Sequence, residues 1–66
     1  MTGLKVSLKA VRSAQGLTQA ELATRCGVSR KTINTIENSV FVPSTLLALK
    51  IAQELEVSVH DLFELE

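Results

Sequence analysis

Two helix starts fall close together in this sequence, at Thr18 and Ser29, with a glycine, Gly27, between them. Few arrangements of a chain satisfy that. Thr18 is followed three residues later by Glu21, so its hydroxyl can accept from the Glu21 backbone N–H while the carboxylate reaches back to the Thr18 N–H. Leu17 before this cap and Leu22 at the fourth helical position form a hydrophobic staple that sets the angle at which the chain joins the helix. Ser29 repeats the device with Val28 and Ile33 as its staple. Thr32 stands where the acidic partner would be, so only half of the reciprocal cap is expected. The first of the two helices must therefore stop sharply, and a glycine at its end takes the left-handed conformation without a Cβ penalty.

Positions facing the shared interior are Leu22, Ala23 and Cys26 on the first of these helices and Ile33 and Ile36 on the second, with Val28 closing the turn. Ala23 matters most, because two helices crossing steeply over a short turn bring their backbones close and favour a small side chain at the crossing. The rest of the chain must supply the remaining walls of a core. Leu4, Leu8 and Val11 give an apolar stripe to a first helix expected over residues 4–15, ended by Gly16, with residues 1–3 expected to fray. After the pair, Pro43 and Ser44 begin a fourth helix carrying Leu47, Ile51 and Leu55 at one-turn spacing beside Ala48 and Ala52. Ser58 with Asp61 forms another capping box, with Val57 and Leu62 as its staple, and starts a short fifth helix over about 59–63. The tail from Phe63 to Glu66 alternates apolar and acidic residues and permits a strand-like end.

With 66 residues the chain is expected to be one domain with a core of marginal size. Its one cysteine cannot form an internal disulfide, and one His with one Cys cannot close a four-ligand zinc site. Cys26, at an inward position, is most simply a small hydrophobe in a reducing compartment. No apolar run is long enough to span a membrane and no signal peptide is evident, so a cytoplasmic location is expected. No metal or cofactor site is expected, and no paired acid–base or nucleophile set points to an enzyme. His60 is expected at the surface.

Net charge is zero, yet the charges are segregated. Residues 1–31 hold Lys5, Lys9, Arg12, Arg25, Arg30 and Lys31 against Glu21 alone, a balance of +5. Residues 32–66 hold Lys50 against Glu37, Glu54, Glu56, Asp61, Glu64 and Glu66, a balance of −5. A basic half centred on the helix pair can attract phosphate while the acidic half faces away.

At Gln19, Ala23, Gly27, Ile33, Ile36 and the Glu37-Asn38 pair the chain resembles the helix-turn-helix of the phage-repressor family, the Cro-like, xenobiotic-response-element group. The motif spans residues 19–38, and the likeness extends through LKAVRSAQGLTQ before it and PSTLLALKIAQELEVS after it, roughly residues 8–63. The resemblance implies an all-α, compact five-helix lambda-repressor-like bundle, with its second and third helices as the helix-turn-helix. It also implies a small regulator, most simply a repressor, that binds double-stranded DNA at an inverted-repeat operator as a homodimer. In such domains the helix after the turn lies in the major groove. Gln19 and the start of that helix, with Ser29 and Thr32, would then meet phosphates. Arg30, Lys31, Asn34 and Thr35 would face base edges, and Asn38 completes the set of DNA-binding residues.

Arg12 and Glu37 border the buried stripes of the first and third helices. Related domains pair an arginine and a glutamate at these places, so the resemblance implies a structural ion pair here. The chain departs from the family pattern after the motif. Asn38 is expected to take the left-handed end of the third helix, but the next position, commonly glycine, is Ser39. Val40, Phe41 and Val42 then stand where relatives more often carry a lysine and an asparagine. Two readings of this run are open: Phe41 packs inward, or the loop is part of a protein contact. The latter suits an antitoxin-like or anti-repressor module built on the same fold. Dimerisation is expected through the fourth and fifth helices and the tail, with Leu46, Leu49, Val59 and Phe63 as candidates, because these elements carry more apolar surface than one small core can use.

Overall fold

The computed structural model describes residues 3–66, and its first element is a strand. The order is β1 (Leu4–Val6), α1 (Leu8–Ala14), α2 (Gln19–Cys26), α3 (Arg30–Glu37), α4 (Thr45–Leu55), α5 (Val59–Leu62) and β2 (Phe63–Leu65). All five expected helices are present, but the described residues are mostly helical rather than all-α, because β1 and β2 form a small antiparallel sheet. The helix expected over 4–15 therefore begins four residues late. Leu4, Val6 and Leu8 alternate as well as they repeat helically, and the far end of the chain decides between the two periods. Lys5 pairs with Glu64, the Ser7 N–H donates to the Leu62 carbonyl at 2.8 Å, and the Glu66 N–H donates to the Gly3 carbonyl at 2.9 Å. Of residues 1–3, expected to fray, Gly3 is thus held, while Met1 and Thr2 lie outside the described residues. Phe63, expected in the last helix, begins β2 instead.

Local capping agrees with the sequence at the motif. The Thr18 hydroxyl accepts from the Glu21 N–H at 3.0 Å and the Glu21 carboxylate accepts from the Thr18 N–H at 2.9 Å. That N–H holds the Glu21 carboxyl below the usual carboxylate range. The Ser29 hydroxyl accepts from the Thr32 N–H at 3.2 Å, and the two hydroxyls share a further hydrogen bond of 3.0 Å in place of the missing carboxylate. Ser44 caps α4 through the Leu47 N–H at 3.1 Å, and Asp61 accepts from the Ser58 N–H at 2.9 Å.

Four helices end on one device, a left-handed residue followed by an apolar one whose N–H reaches back to the last turn. The returning bonds are Leu17 to the Arg12 carbonyl, Val28 to Ala23, Val40 to Thr35 and Val57 to Ala52. Gly16 and Gly27 supply the left-handed residue twice, but Ser39 (φ 60°) and Glu56 (φ 57°) supply it for α3 and α4. Asn38, expected in this role, has φ −92° and remains at the helix end. The chain turns one residue later because the Asn38 N–H is still used by the Asn34 carbonyl.

The core gathers Leu8, Leu22, Ala23, Cys26, Ile33, Ile36, Ile51, Ala52, Leu55, Leu62 and Phe63, so every helix and β2 contribute. Val28 and Leu47 pack against its edge as half-buried residues. Burial pushes the Cys26 thiol up, which keeps it protonated and unreactive. Phe63 is 7% exposed and so belongs to the core rather than to a free dimer surface. The run after α3 does the opposite: Val40, Phe41 and Val42 are all exposed, so Phe41 does not pack inward. The Val40 and Phe41 N–H groups both donate to the Thr35 carbonyl, at 2.9 and 3.2 Å, which holds this loop against the end of α3 instead of over the core.

A non-glycine residue in the left-handed region is strained by about 1–2 kcal/mol. Part of that is returned by glycine, whose unfolded chain is more flexible. Glu56→Gly should therefore stabilise the protein by about 0.5–1 kcal/mol, read as a higher urea midpoint with an unchanged slope.

Candidate nucleic-acid interface

Arg12 from α1, Gln19 from α2 and Glu37 from α3 meet at the point where the three helices converge. The Arg12 Nε donates to Glu37 Oε2 at 2.6 Å and a terminal guanidinium nitrogen donates to Oε1 at 3.1 Å, giving a two-pronged ion pair. The other terminal nitrogen donates to the Leu17 carbonyl at 2.7 Å. Gln19 Nε2 donates to Glu37 Oε1 at 2.9 Å, so the carboxylate receives three donors. Both side chains of the pair are buried, with 10% of Arg12 and 2% of Glu37 exposed. Hydrogen bonding to Glu37 raises the hold on the Arg12 proton and outweighs the burial that opposes its charge.

This pairing sets the electrostatics of α3. Glu37 is the only acid on that helix, and its charge is turned inward and neutralised. What α3 presents outward is cationic or neutral. Arg30 and Lys31 are exposed and have no partner among the described residues. They occupy the first turn, where a helix dipole gains nothing from positive charge. Asn34 and Thr35 follow one turn later, half-buried.

The remaining residues expected to bind DNA are mostly engaged within the protein. Asn34 Nδ2 donates to Gln19 Oε1 at 3.5 Å, a long contact, and Asn38 Nδ2 donates to Asn34 Oδ1 at 3.2 Å. A polar chain thus runs from the buried Arg12 through Glu37, Gln19 and Asn34 to the exposed Asn38. The Thr35 hydroxyl donates to the Thr32 carbonyl at 2.9 Å, which commits its proton and leaves its methyl and its acceptor lone pairs to a partner. The hydroxyls of Ser29 and Thr32 are occupied with the α3 cap. Gln19, Ser29, Arg30, Lys31, Thr32, Asn34, Thr35 and Asn38 therefore come together on and around one helix face, but only Arg30 and Lys31 have wholly uncommitted head groups.

Two depressions flank this face. One is lined by Arg12, Gly16, Thr18, Gln19, Ala20 and Arg30 beside the start of α2. The other is lined by Ser29, Lys31, Thr32, Thr35, Val40 and Phe41. The presence of Val40 and Phe41 there was not legible in the sequence, where their apolar character alone was visible. Among the described residues every buried side-chain polar atom has a hydrogen-bond partner, no cluster of His, Cys, Asp and Glu could hold a metal ion, and no helix is long and apolar enough to cross a membrane.

Two short helices over a left-handed glycine, with the second presenting an acid-free polar face, define a helix-turn-helix. The family model described as helix-turn-helix matches residues 8–62, and the chain belongs to the Cro/C1-like helix-turn-helix family of DNA-binding transcriptional regulators. It is similar to the uncharacterised HTH-type transcriptional regulator MJ0272 of Methanocaldococcus jannaschii, with 45% identity over 91% of each chain. A second such regulator, YgzD of Bacillus subtilis, is 40% identical over 96% of each chain. Antitoxin HipB of Escherichia coli K12 is 39% identical over 86% of this chain and 65% of its own. Among solved structures, the restriction-modification controller protein C.AhdI of Aeromonas hydrophila superposes with a TM-score of 0.78 at 30% identity over 82% of each chain. SinR, a master regulator for biofilm formation solved in complex with DNA, superposes with a TM-score of 0.74 at 33% identity over 80% of this chain and 86% of its own. The family's members are non-enzymatic DNA-binding proteins.

Removing either partner of the ion pair leaves a buried charge facing none. Arg12→Ala and Glu37→Ala should each cost about 3–5 kcal/mol, comparable with the whole stability of a domain this small. A double-mutant cycle in urea should show strong coupling between the two sites, and additive losses would reject it.

Proposed function

We propose that the protein is a repressor that reads the major groove with α3 as a homodimer on an inverted-repeat operator. The observation that carries this reading is the acid-free outer face of α3, kept so by the burial of Glu37 against Arg12. Arg30 and Lys31 supply donors for guanine O6 and N7 or for phosphate, and the Thr35 methyl suits a thymine methyl. Asn34 offers an amide one turn along the face, held by Gln19 and Asn38. Gln19, Ser29 and Thr32 lie at the margins, where backbone phosphates would stand. Selection of binding sites from a random DNA pool, followed by mobility shifts on the enriched sequence, tests the reading directly. A protein that shifts no duplex at low salt would overturn it.

Size favours two copies. The longest dimension of the fold is 27 Å, less than the one helical turn, about 34 Å, that separates successive major-groove half-sites on one side of B-DNA. Apolar surface suited to a partner copy lies on the C-terminal side: Leu46 and Leu49 are exposed on α4, and Leu65 at the end of β2 is 90% exposed. An apolar groove lined by Leu4, Val42, Pro43, Leu49, Val59 and Phe63, among others, lies between the loop, α4 and the sheet. Leu46, Leu49 and Val59 remain from the residues expected at this interface, and Phe63, mostly buried, forms part of the floor of the groove.

The similarity to an antitoxin, together with the exposed 40–42 run, supports a second reading in which the same fold engages a protein partner. Pull-down from lysate without any shift of DNA would favour it.

Two outcomes are expected. Lys31→Ala and Thr35→Ala should each cost about 1–3 kcal/mol on the selected sequence and relax preference at one base pair. Arg30→Ala should weaken all sequences alike and reduce the salt slope by about one per protomer if it meets phosphate. Separately, Leu46→Glu with Leu49→Glu should convert a dimer to a monomer in sedimentation while leaving the melting of the monomer fold intact.

A further inference from the structure

The sequence replaces the usual polar residues after the recognition helix with an apolar run, and the structure neither buries that run nor leaves it loose. Val40 is 76% exposed and Phe41 47%, yet both backbone N–H groups are fixed on the Thr35 carbonyl. The two side chains form one wall of a groove whose other wall is α3 itself, through Ser29, Lys31, Thr32 and Thr35. Among the described residues Lys31 is the only charged group lining this groove, and no acid lines it. An occupant should therefore be anionic and also present carbon surface. The groove adjoins the face that would read base edges, because Lys31 and Thr35 belong to both. A helix seated in the major groove has a sugar–phosphate strand along each flank, and such a strand offers what the groove lacks: negative charge for Lys31, and deoxyribose carbons or thymine methyls for an aromatic ring.

The geometry points to Phe41, backed by Val40, as an apolar contact to one DNA strand beside α3, holding the helix in register by buried carbon surface where a lysine would hold it by charge. This inference rests on the DNA-binding reading above. Two carbon sources share the chemistry, the thymine 5-methyl and the deoxyribose ring. A second protein chain is a weaker fit, since it would have to bring a carboxylate to Lys31 as well as an apolar side chain.

The test compares the wild-type chain with Phe41→Ser on a duplex of about 24 base pairs carrying the selected site, across a range of salt concentrations. Phe41 is outside the core, so the variant should melt and sediment as the wild type does. Its affinity should fall roughly five- to tenfold, and its salt slope should not change, because no counterion is released by an apolar contact. Replacing thymine by deoxyuridine distinguishes the two sources: it abolishes the difference between wild type and variant if the methyl is the partner, and preserves it if the sugar is. Unchanged affinity of Phe41→Ser while the wild type binds would overturn this inference alone. So would a change in its oligomeric state, which would place the loop between protein chains. A wild-type chain that binds no duplex would overturn both this inference and the reading on which it rests.

Discussion

The contact between Arg12 and Glu37 organises the protein at two levels. Mechanically, it joins α1 to α3 and, through Gln19, brings in α2, so that the angle of α3 is set from behind by three hydrogen bonds to a single carboxylate. Electrostatically, it removes the one negative charge that α3 would otherwise show to an anionic partner. Burying two charges is costly and returns little net stability compared with a well-packed apolar pair. What it supplies is direction: a planar guanidinium against a planar carboxylate accepts few relative orientations, whereas aliphatic side chains accept many.

That distinction explains the division of labour in the rest of the fold. The apolar residues hold the helices together with Leu8, Leu22, Ile33, Ile36, Ile51, Leu55 and Leu62 at the centre. The polar chain from Arg12 to Asn38 then fixes how they sit relative to one another and carries that order to the surface at Asn34 and Asn38. Side chains along this path are already partnered, so a ligand meeting the face finds Asn34 in a held position rather than one it must first arrange. Arg30 and Lys31 are the contrast, long, exposed and unheld among the described residues.

Much of this was readable from residue types and spacing. Thr18, Glu21, Ser29 and Ser44 announced their helices because a cap is a local device, completed within three residues. Ala23 and Gly27 announced the crossing and the turn for the same reason. The ion pair, by contrast, spans α1 and α3 and became visible only through resemblance to related domains. The alternation of the tail permits β2, but β1 is not foreseeable locally, because each strand is three residues long and its partner is at the other end of the chain; Leu4 and Val6 fit a strand only once Phe63 and Leu65 are beside them. Phe41 was misjudged in one of its two readings, since apolar character speaks for burial until the backbone is known to pin the loop elsewhere. The uncommitted face of α3 could be outlined, but which of its side chains are free depended on hydrogen bonds that spacing does not reveal.

The sheet has a further consequence for how the chain reaches its native state. Each helix pair is closed over short connections, while β1 and β2 join positions about 60 residues apart, and closing a loop of that length costs about 3–4 kcal/mol in chain entropy. Three-residue strands cannot meet that cost alone. They depend on α1 and α5 having already brought Ser7 beside Leu62. The clasp should thus assemble last and open first, so that the two strands breathe while α3 and its anchoring ion pair remain closed.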